Sequence, residues 1–388
     1  VAVRVAIVGA GIGGLTLALA LRQHGIEAQV FEQAPELREV GAAVALSANG
    51  TRLLERLGLR EELAAHAATP TELIYRHWRD GGRLAAHPVG SWYRERFGYP
   101  FYGIHRVDFQ RVLGTAWGFD QVRTACRVRG VVERPEGVRL ELPDGPSDPA
   151  DVVVGADGAH STVRQWLTGA ADAVYSGTSG FRGLVPTARL GMLPDPQAIQ
   201  FWVGPGGHLL HYPIGSGEVI NFLAVVEGPA HWTAPNWVLP TAPAENLAAF
   251  AEWHPAVRTM IAEGAQPQRW ALFSHPPLNH WSRGRVVLLG DAAHAMLPHH
   301  GQGANQTIED AVTLADCLAE ARPGELEAAL RRYEALRRTR TRQVARSSWV
   351  TSGLLHLPDG PAARQRDRDL ADLPANFGWI HDFDAQRA

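Results

Sequence analysis

The stretch VRVAIVGAGIGG, Val3 to Gly14, decides how the rest of the chain is read. Its first half is apolar and β-branched, the pattern of a short buried strand. Its second half sets Gly9, Gly11 and Gly14 in the order G-x-G-x-x-G. Beyond them Leu15, Ala18 and Leu19 fall on one face of a helix that Gly25 stops. The run EAQVFEQ then reads as a second strand ending at Glu32, 18 residues past Gly14. Strand, glycine turn, helix, strand and terminal acid follow in the order that a dinucleotide-binding unit needs. Gly9 permits the tight turn, Gly11 lets backbone approach a pyrophosphate, and Gly14 lets helix and strand pack closely. The free N–H groups at the helix start face the phosphates. Glu32 suits a ribose hydroxyl of either FAD or NAD, so this segment leaves the cofactor open.

The bulk numbers narrow the class. A chain of 388 residues predicts more than one core. Hydrophobic content of 45% and charged content of 20% are ordinary for a globular protein, and a net charge of -3 gives no footprint for nucleic acid. All 37 basic residues are Arg, which excludes a catalytic lysine or Schiff base. Cys126 and Cys317 lack metal or redox spacing, so a cytoplasmic, disulfide-free protein is expected. No apolar run is long enough to cross a bilayer, and the N-terminal strand leads into glycines, unlike a signal peptide. A monomer or homodimer is expected.

No second G-x-G-x-x-G follows another strand; GPGGHL at Gly204 lacks the third glycine. Two other segments carry strand-end signals. ADVVVGADGAHSTVR, Ala150 to Arg164, breaks at Gly155 into Asp157-Gly158, and GRVVLLGDAAHAMLP, Gly284 to Pro298, ends a strand at Gly290-Asp291. With the first motif, these resemble in order and spacing the three fingerprints of the single-component flavin-dependent aromatic hydroxylases. Those are typified by para-hydroxybenzoate hydroxylase, and the nearest branch is that of the salicylate and 6-hydroxynicotinate hydroxylases. The segments GAAVALSANGTRLLERLGL (41–59), GIHRVDFQRVL (103–113) and FGWIHDFD (377–384) look like family segments too.

The resemblance implies an α/β fold: a Rossmann-like FAD-binding domain, a discontinuous β-sheet substrate domain and a C-terminal helix. The expected division is 1–72, 101–170 and 283–320 for FAD, 73–100 and 171–282 for substrate, and 321–388 for the helix and tail. It implies FAD as cofactor, NADH or NADPH as co-substrate, and a small aromatic or heteroaromatic substrate hydroxylated with O2 through a C4a-hydroperoxyflavin. Epoxidation, Baeyer-Villiger-type insertion, or flavin binding without turnover remain open alternatives. Carried over by position, Glu32 would hold the adenosine ribose and Arg106 would contact FAD near its phosphates or ribityl chain. Asp157 and Gly158 would support FAD, and Asp291 would grip the ribityl and pyrophosphate region. Pro298 would lie near the face where oxygen reacts. Gly301, Gln302, Gly303, Ala304 and Asn305 would form a bend at the isoalloxazine edge, with a helix starting behind it. One departure stands out: many relatives have Pro-Asn where this chain has Ala48-Asn49, so the loop there is expected to differ in shape.

The histidines need separate reading. His294, His299 and His300 lack metal-ligand spacing. His294 is expected to be structural, His299 a substrate-orienting group or base by position in the resemblance, and His300 a neighbour facing elsewhere. His211 and Tyr212 are consecutive on a predicted strand, so alternation sends at most one to the cavity. Strand-like blocks at 71–78, 179–187, 198–204, 208–214 and 218–226 read as a sheet roofing the flavin, with Trp202, Trp232, Trp237 and Trp253 in or just after them. Residues 324–347 read as an amphipathic helix whose Arg row forms a solvated face.

Overall fold

The computed structural model describes residues 3–37, 43–169, 173–234, 237–322, 324–372 and 378–387. Residues 41, 42 and 377, at the ends of two family-like segments, lie outside them.

The opening stretch forms the strand Arg4–Val8 and the helix Ile12–Gln23. The strand pairs in parallel with Glu27–Phe31 on one side and Val152–Gly155 on the other. A six-stranded sheet results, in the order Ser282–Arg283, Val286–Leu288, Val152–Gly155, Arg4–Val8, Glu27–Phe31, Val122–Arg123. Its central strands are buried along nearly their whole length, which is why they read as unbroken apolar runs rather than alternating ones. One core joins this sheet to the helices Ile12–Gln23 and Gly303–Ala319 and to a small antiparallel sheet around Val131, Val138 and Leu140. Strand order reverses at Arg4–Val8, so a crevice opens at the carboxyl ends of these strands.

The second sheet has eight strands: Val238–Pro240, Gln268–Ser274, Val174–Pro186, Val219–Glu227, Gly207–Ile214, Ile199–Gly204, Glu72–His77 and Arg83–Pro88, in that spatial order. Its two faces do different things. Phe181, Phe222, Leu209 and Trp202 form a second core with Trp253 and the helix Pro255–Gly264. Leu210, Tyr212, Asn221 and Leu223, which alternate with them, face the crevice. The C-terminal part contains the helices Leu326–Leu355 and Pro361–Ala371, longer and more divided than the amphipathic run suggested. Two residues of its Arg row are not solvated: Arg337 is 1% and Arg340 8% exposed, because both turn inward onto carboxylates of the helix Gly303–Ala319.

Candidate active site

Separate segments meet at the crevice, and specific hydrogen bonds tie them together. Gly9 has φ +104°, and a Cβ there would stand 2.5 Å from the carbonyl oxygen of Ala156. A Cβ on Gly14 would stand 1.9 Å from the Gly9 carbonyl oxygen. Both positions therefore admit only glycine, one for the turn and the close approach of the segment after Val152–Gly155, the other for the packing of helix on turn. Gly11 caps the helix with no side-chain hydrogen bond, and no acid occupies the first turn, so its opening N–H groups are left for an anion. The Glu32 carboxylate accepts from the N–H of Ala10 at 2.9 Å and of Ala34 at 2.8 Å, which fixes it at the groove. Gln110 donates to the Ala10 carbonyl at 3.1 Å, tying the helix Arg106–Trp117 to the same turn. Arg106 begins that helix and lines the groove.

Asp157 accepts from the Ser161 hydroxyl at 2.5 Å and from the N–H of Thr162 at 2.8 Å and Val163 at 3.2 Å. It thus caps the helix Thr162–Thr168, while Gly158 turns at φ +76°. Burial raises the Asp157 carboxyl above its ordinary range, against the pull of those hydrogen bonds. Arg164 then reaches across to donate to the carbonyls of Ala292 at 3.1 Å and Ala293 at 3.2 Å, joining the Asp-Gly segment to the Gly-Asp segment. Gly290 (φ +64°) lets Asp291 face the groove, where no described residue donates to its carboxylate.

The bend after Pro298 is held from behind. Gly301 has φ +61°. Asn305 donates to the carbonyls of Ala45 and Gly301, both at 2.9 Å, and accepts from the Ser47 N–H at 3.0 Å. Gln302 donates to the Ser47 hydroxyl at 2.8 Å and accepts from Asn49 at 3.0 Å. The side chains of Gln302 and Asn305 therefore lie behind the bend, while Gly301, Gly303 and Ala304 line the cavity. Deeper still, Glu309 accepts from Asn49 at 2.7 Å, from Arg340 at 2.7 Å and from Arg337. Asp310 accepts from Arg337 at 2.7 Å, from the Gly290 N–H at 3.1 Å and from His294 at 2.5 Å. Burial alone would raise both carboxyls; the Arg and His charges and hydrogen bonds overcome it and hold them below their ordinary values. His294 thus anchors the segment that carries Asp291. The Ala48 departure also has a local consequence. Ala48 opens the helix Ala48–Arg56, and its N–H donates to the Tyr93 hydroxyl at 3.0 Å, a bond that Pro would lack.

These parts border one cavity of about 760 Å3. It runs from Glu32, Arg127 and Val128, along Gly9 to Gly13 and Asp291, to Pro298, Gly301 and the inner face of the eight-stranded sheet. Tyr212 lines it; His211 does not, and instead accepts from the Trp202 indole at 3.1 Å on the opposite face, where burial lowers its pKa to about 3. His299 also lies outside the lining. It is 3% exposed and packs 5.1 Å from His208, and burial lowers its pKa to about 3, so it is an uncharged imidazole at neutral pH. The structure thus brings Pro298 and Tyr212 to the cavity and leaves His299 and His211 behind it. His300 faces Ser347, at 2.9 Å.

Sequence reasoning did not single out Arg127, Arg182, Asn221 or Trp270, all of which line the cavity. Asn221 pairs in register with Tyr212 and accepts from the Ala43 N–H at 3.2 Å. Alternation left His211 and Tyr212 as alternatives; the strand register that places Tyr212 at the cavity places Asn221 beside it.

The groove fits a flavin dinucleotide: a glycine turn closed to any Cβ, a carboxylate at the ribose end, an open helix start, and a second carboxylate facing the groove. An eight-stranded sheet then covers the far end, where a ring system would lie beside a substrate. This is the architecture of a flavoprotein hydroxylase. A family model described as "FAD binding domain" matches residues 2–348. The chain is 41% identical over 382 residues to the 3-amino-4-hydroxybenzoate 2-monooxygenase of Streptomyces cremeus, covering 98% of this chain and 95% of that one. It is 34% identical to the 6-hydroxynicotinate 3-monooxygenase of Bordetella bronchiseptica, covering 89% and 90%. Among solved structures, Klebsiella pneumoniae HpxO complexed with FAD and uric acid superposes with a TM-score of 0.86 at 29% identity, covering 98% and 96%. The chain belongs to the FAD-dependent aromatic hydroxylases, and FAD is its cofactor. Among the described residues, no helix is long and apolar enough to cross a membrane.

Proposed function

We propose that this protein hydroxylates an aromatic ring made electron-rich by a hydroxyl or amino group, consuming one O2 and one NADH or NADPH and releasing water. The observation that carries the proposal is the single cavity joining the nucleotide groove to the inner face of the eight-stranded sheet. Bound FAD supplies reduction by the nicotinamide and activation of oxygen. The protein supplies position, dryness and charge. Glu32, the Gly9 to Gly13 turn, Arg106 and Asp291 hold the dinucleotide along the groove. The start of the helix Gly303–Ala319 meets the cavity at Gly303, Ala304 and Thr307, where its dipole favours negative charge on the ring by about 0.3–2 kcal/mol. Met296, Leu297 and Pro298 present apolar surface that excludes water from the reacting end. Tyr212, whose pKa burial raises, stays a neutral phenol and can exchange a hydrogen bond with a ring hydroxyl. We place the cofactor on the six-stranded part and the substrate against the eight-stranded part, following the division 1–72, 101–170 and 283–320 against 73–100 and 171–282.

The relatives named above act on a hydroxylated benzoate and a hydroxylated pyridine carboxylate, so 3-amino-4-hydroxybenzoate is the first compound to test. The FAD-loaded protein should consume NADH or NADPH faster when it is added, and product formed under labelled O2 should carry one labelled oxygen on the ring. Oxygen incorporated as an epoxide or ring ester would replace hydroxylation with one of those outcomes. A yellow protein that leaves a broad aromatic panel unchanged would reduce the reading to flavin binding.

A further inference from the structure

We propose that Arg182 is a specificity-determining residue that pairs with a carboxylate on the aromatic substrate. The proposal rests on the hydroxylase reading above. Arg182 lies on the strand Val174–Pro186, opposite Leu223, which in turn lies opposite Leu210. Directly paired residues point to the same face of a sheet, and all three line the cavity. Asn221 and Tyr212 form the neighbouring pair on that face. The guanidinium carbon stands 4.1 Å from the centre of the Trp270 ring. Such stacking fixes the plane of the fork and leaves its N–H edge free for a planar, two-oxygen acceptor.

The Nε of Arg182 is buried without a hydrogen-bond partner, and no described carboxylate forms an ion pair with it. Burial, and then the like charge of Arg106, press its pKa below the ordinary guanidinium value, and no acid acts against them. A desolvated cation in this state is costly unless a counter-charge completes it. The other Arg in the lining that sequence reasoning did not single out serves the opposite end. Arg127 follows Cys126, whose N–H donates to the Glu32 carbonyl at 2.8 Å, at the ribose end of the groove. Arg182 stands instead on the sheet that covers the substrate end. A carboxylate there would turn the ring so that its other substituents reach Tyr212 and Asn221.

The test titrates FAD-loaded protein with 3-amino-4-hydroxybenzoate and with its uncharged carboxamide, following the change in flavin absorbance on binding. Wild type should prefer the acid by at least about tenfold. Arg182→Met should weaken the acid by about 30-fold, about 2 kcal/mol, and leave the amide within about twofold. Arg182→Lys, which keeps the charge but not the fork, should recover part of the loss. Equal binding of acid and amide by wild type would overturn the assignment even if a variant failed to fold. A variant that lost FAD, or changed only the KM for NAD(P)H, would give Arg182 to a phosphate and also overturn it. An FAD-loaded wild type that responded to neither compound, nor to salicylate or 6-hydroxynicotinate, would overturn the hydroxylase reading itself.

Discussion

The two ends of the cavity are built on different principles. The end we assign to the nucleotide is largely backbone: glycine turns, a bare helix start, and a carboxylate braced by N–H groups two and 22 residues away in sequence. The end we assign to the substrate is side chains, projected from four neighbouring strands of one sheet face onto a bend that residues far away in sequence hold in place. A diphosphate is the same in every relative, so a fixed backbone cradle serves it. Ring substituents differ, so that end is made of replaceable side chains. Behind the bend lies the buried network of Glu309, Asp310, Arg337, Arg340 and His294, which stays out of the cavity lining and ties the long C-terminal helix to the Gly290-Asp291 segment.

Breaking the backbone end should have the largest effect. Gly14→Val forces a side chain into the Gly9 carbonyl, and the protein should purify colourless, with FAD affinity down by more than about 100-fold, beyond the range of one lost hydrogen bond. Retained flavin at full stoichiometry would show that the turn is not the cradle. Next comes the network behind the bend. Glu309→Gln leaves Arg337 and Arg340 short of a buried counter-charge and should lower unfolding free energy by about 3–5 kcal/mol in a denaturant titration. A loss under about 1 kcal/mol would mean that the charges are solvated in solution.

Acid should discriminate further. His299, with a folded pKa of about 3, and His300 and His356, with about 4, all sit below the ordinary histidine value because burial disfavours their charge. The unfolded chain therefore binds these protons first. Stability should hold above about pH 6.5 and fall between there and pH 4, by about 1.4 kcal/mol per pH unit for each histidine. His299→Phe should reduce the slope of stability against pH by about one proton in that window; an unchanged slope would contradict its buried, neutral state. The smallest effect sharpens the contrast. Tyr212→Phe should leave FAD content intact and lower kcat/KM about five- to tenfold, the worth of one hydrogen bond. Loss of flavin in that variant would erase the distinction between the ends.

The nucleotide end was legible in the sequence because its chemistry is local. Gly9, Gly11, Gly14 and Glu32 sit at spacings set by one strand, one helix and the next strand, and the structure places Asp157, Gly158, Arg106 and Asp291 along the same groove. The bend was half legible: Gly301, Gly303 and Ala304 line the cavity, but Gln302 and Asn305 spend their amides holding it from behind. Position in the family pattern selected His299, yet it turns into a histidine cluster with His208 and His356, two residues no local pattern joins to it. The Arg row of the last long helix read as solvated because periodicity records which residues share a face. It does not record that Glu309 and Asp310 wait opposite that face.

By itself, then, the sequence determined the glycine turn, the strands that carry it and the acid that ends them, since each follows from contacts within about thirty residues and from φ angles that only glycine adopts. Tertiary structure alone decided which strands became neighbours in the eight-stranded sheet, and so put Arg182 beside Trp270 and Asn221 beside Tyr212. That choice rests on register between distant segments and on buried charges finding their partners. Neither leaves a trace in spacing along the chain.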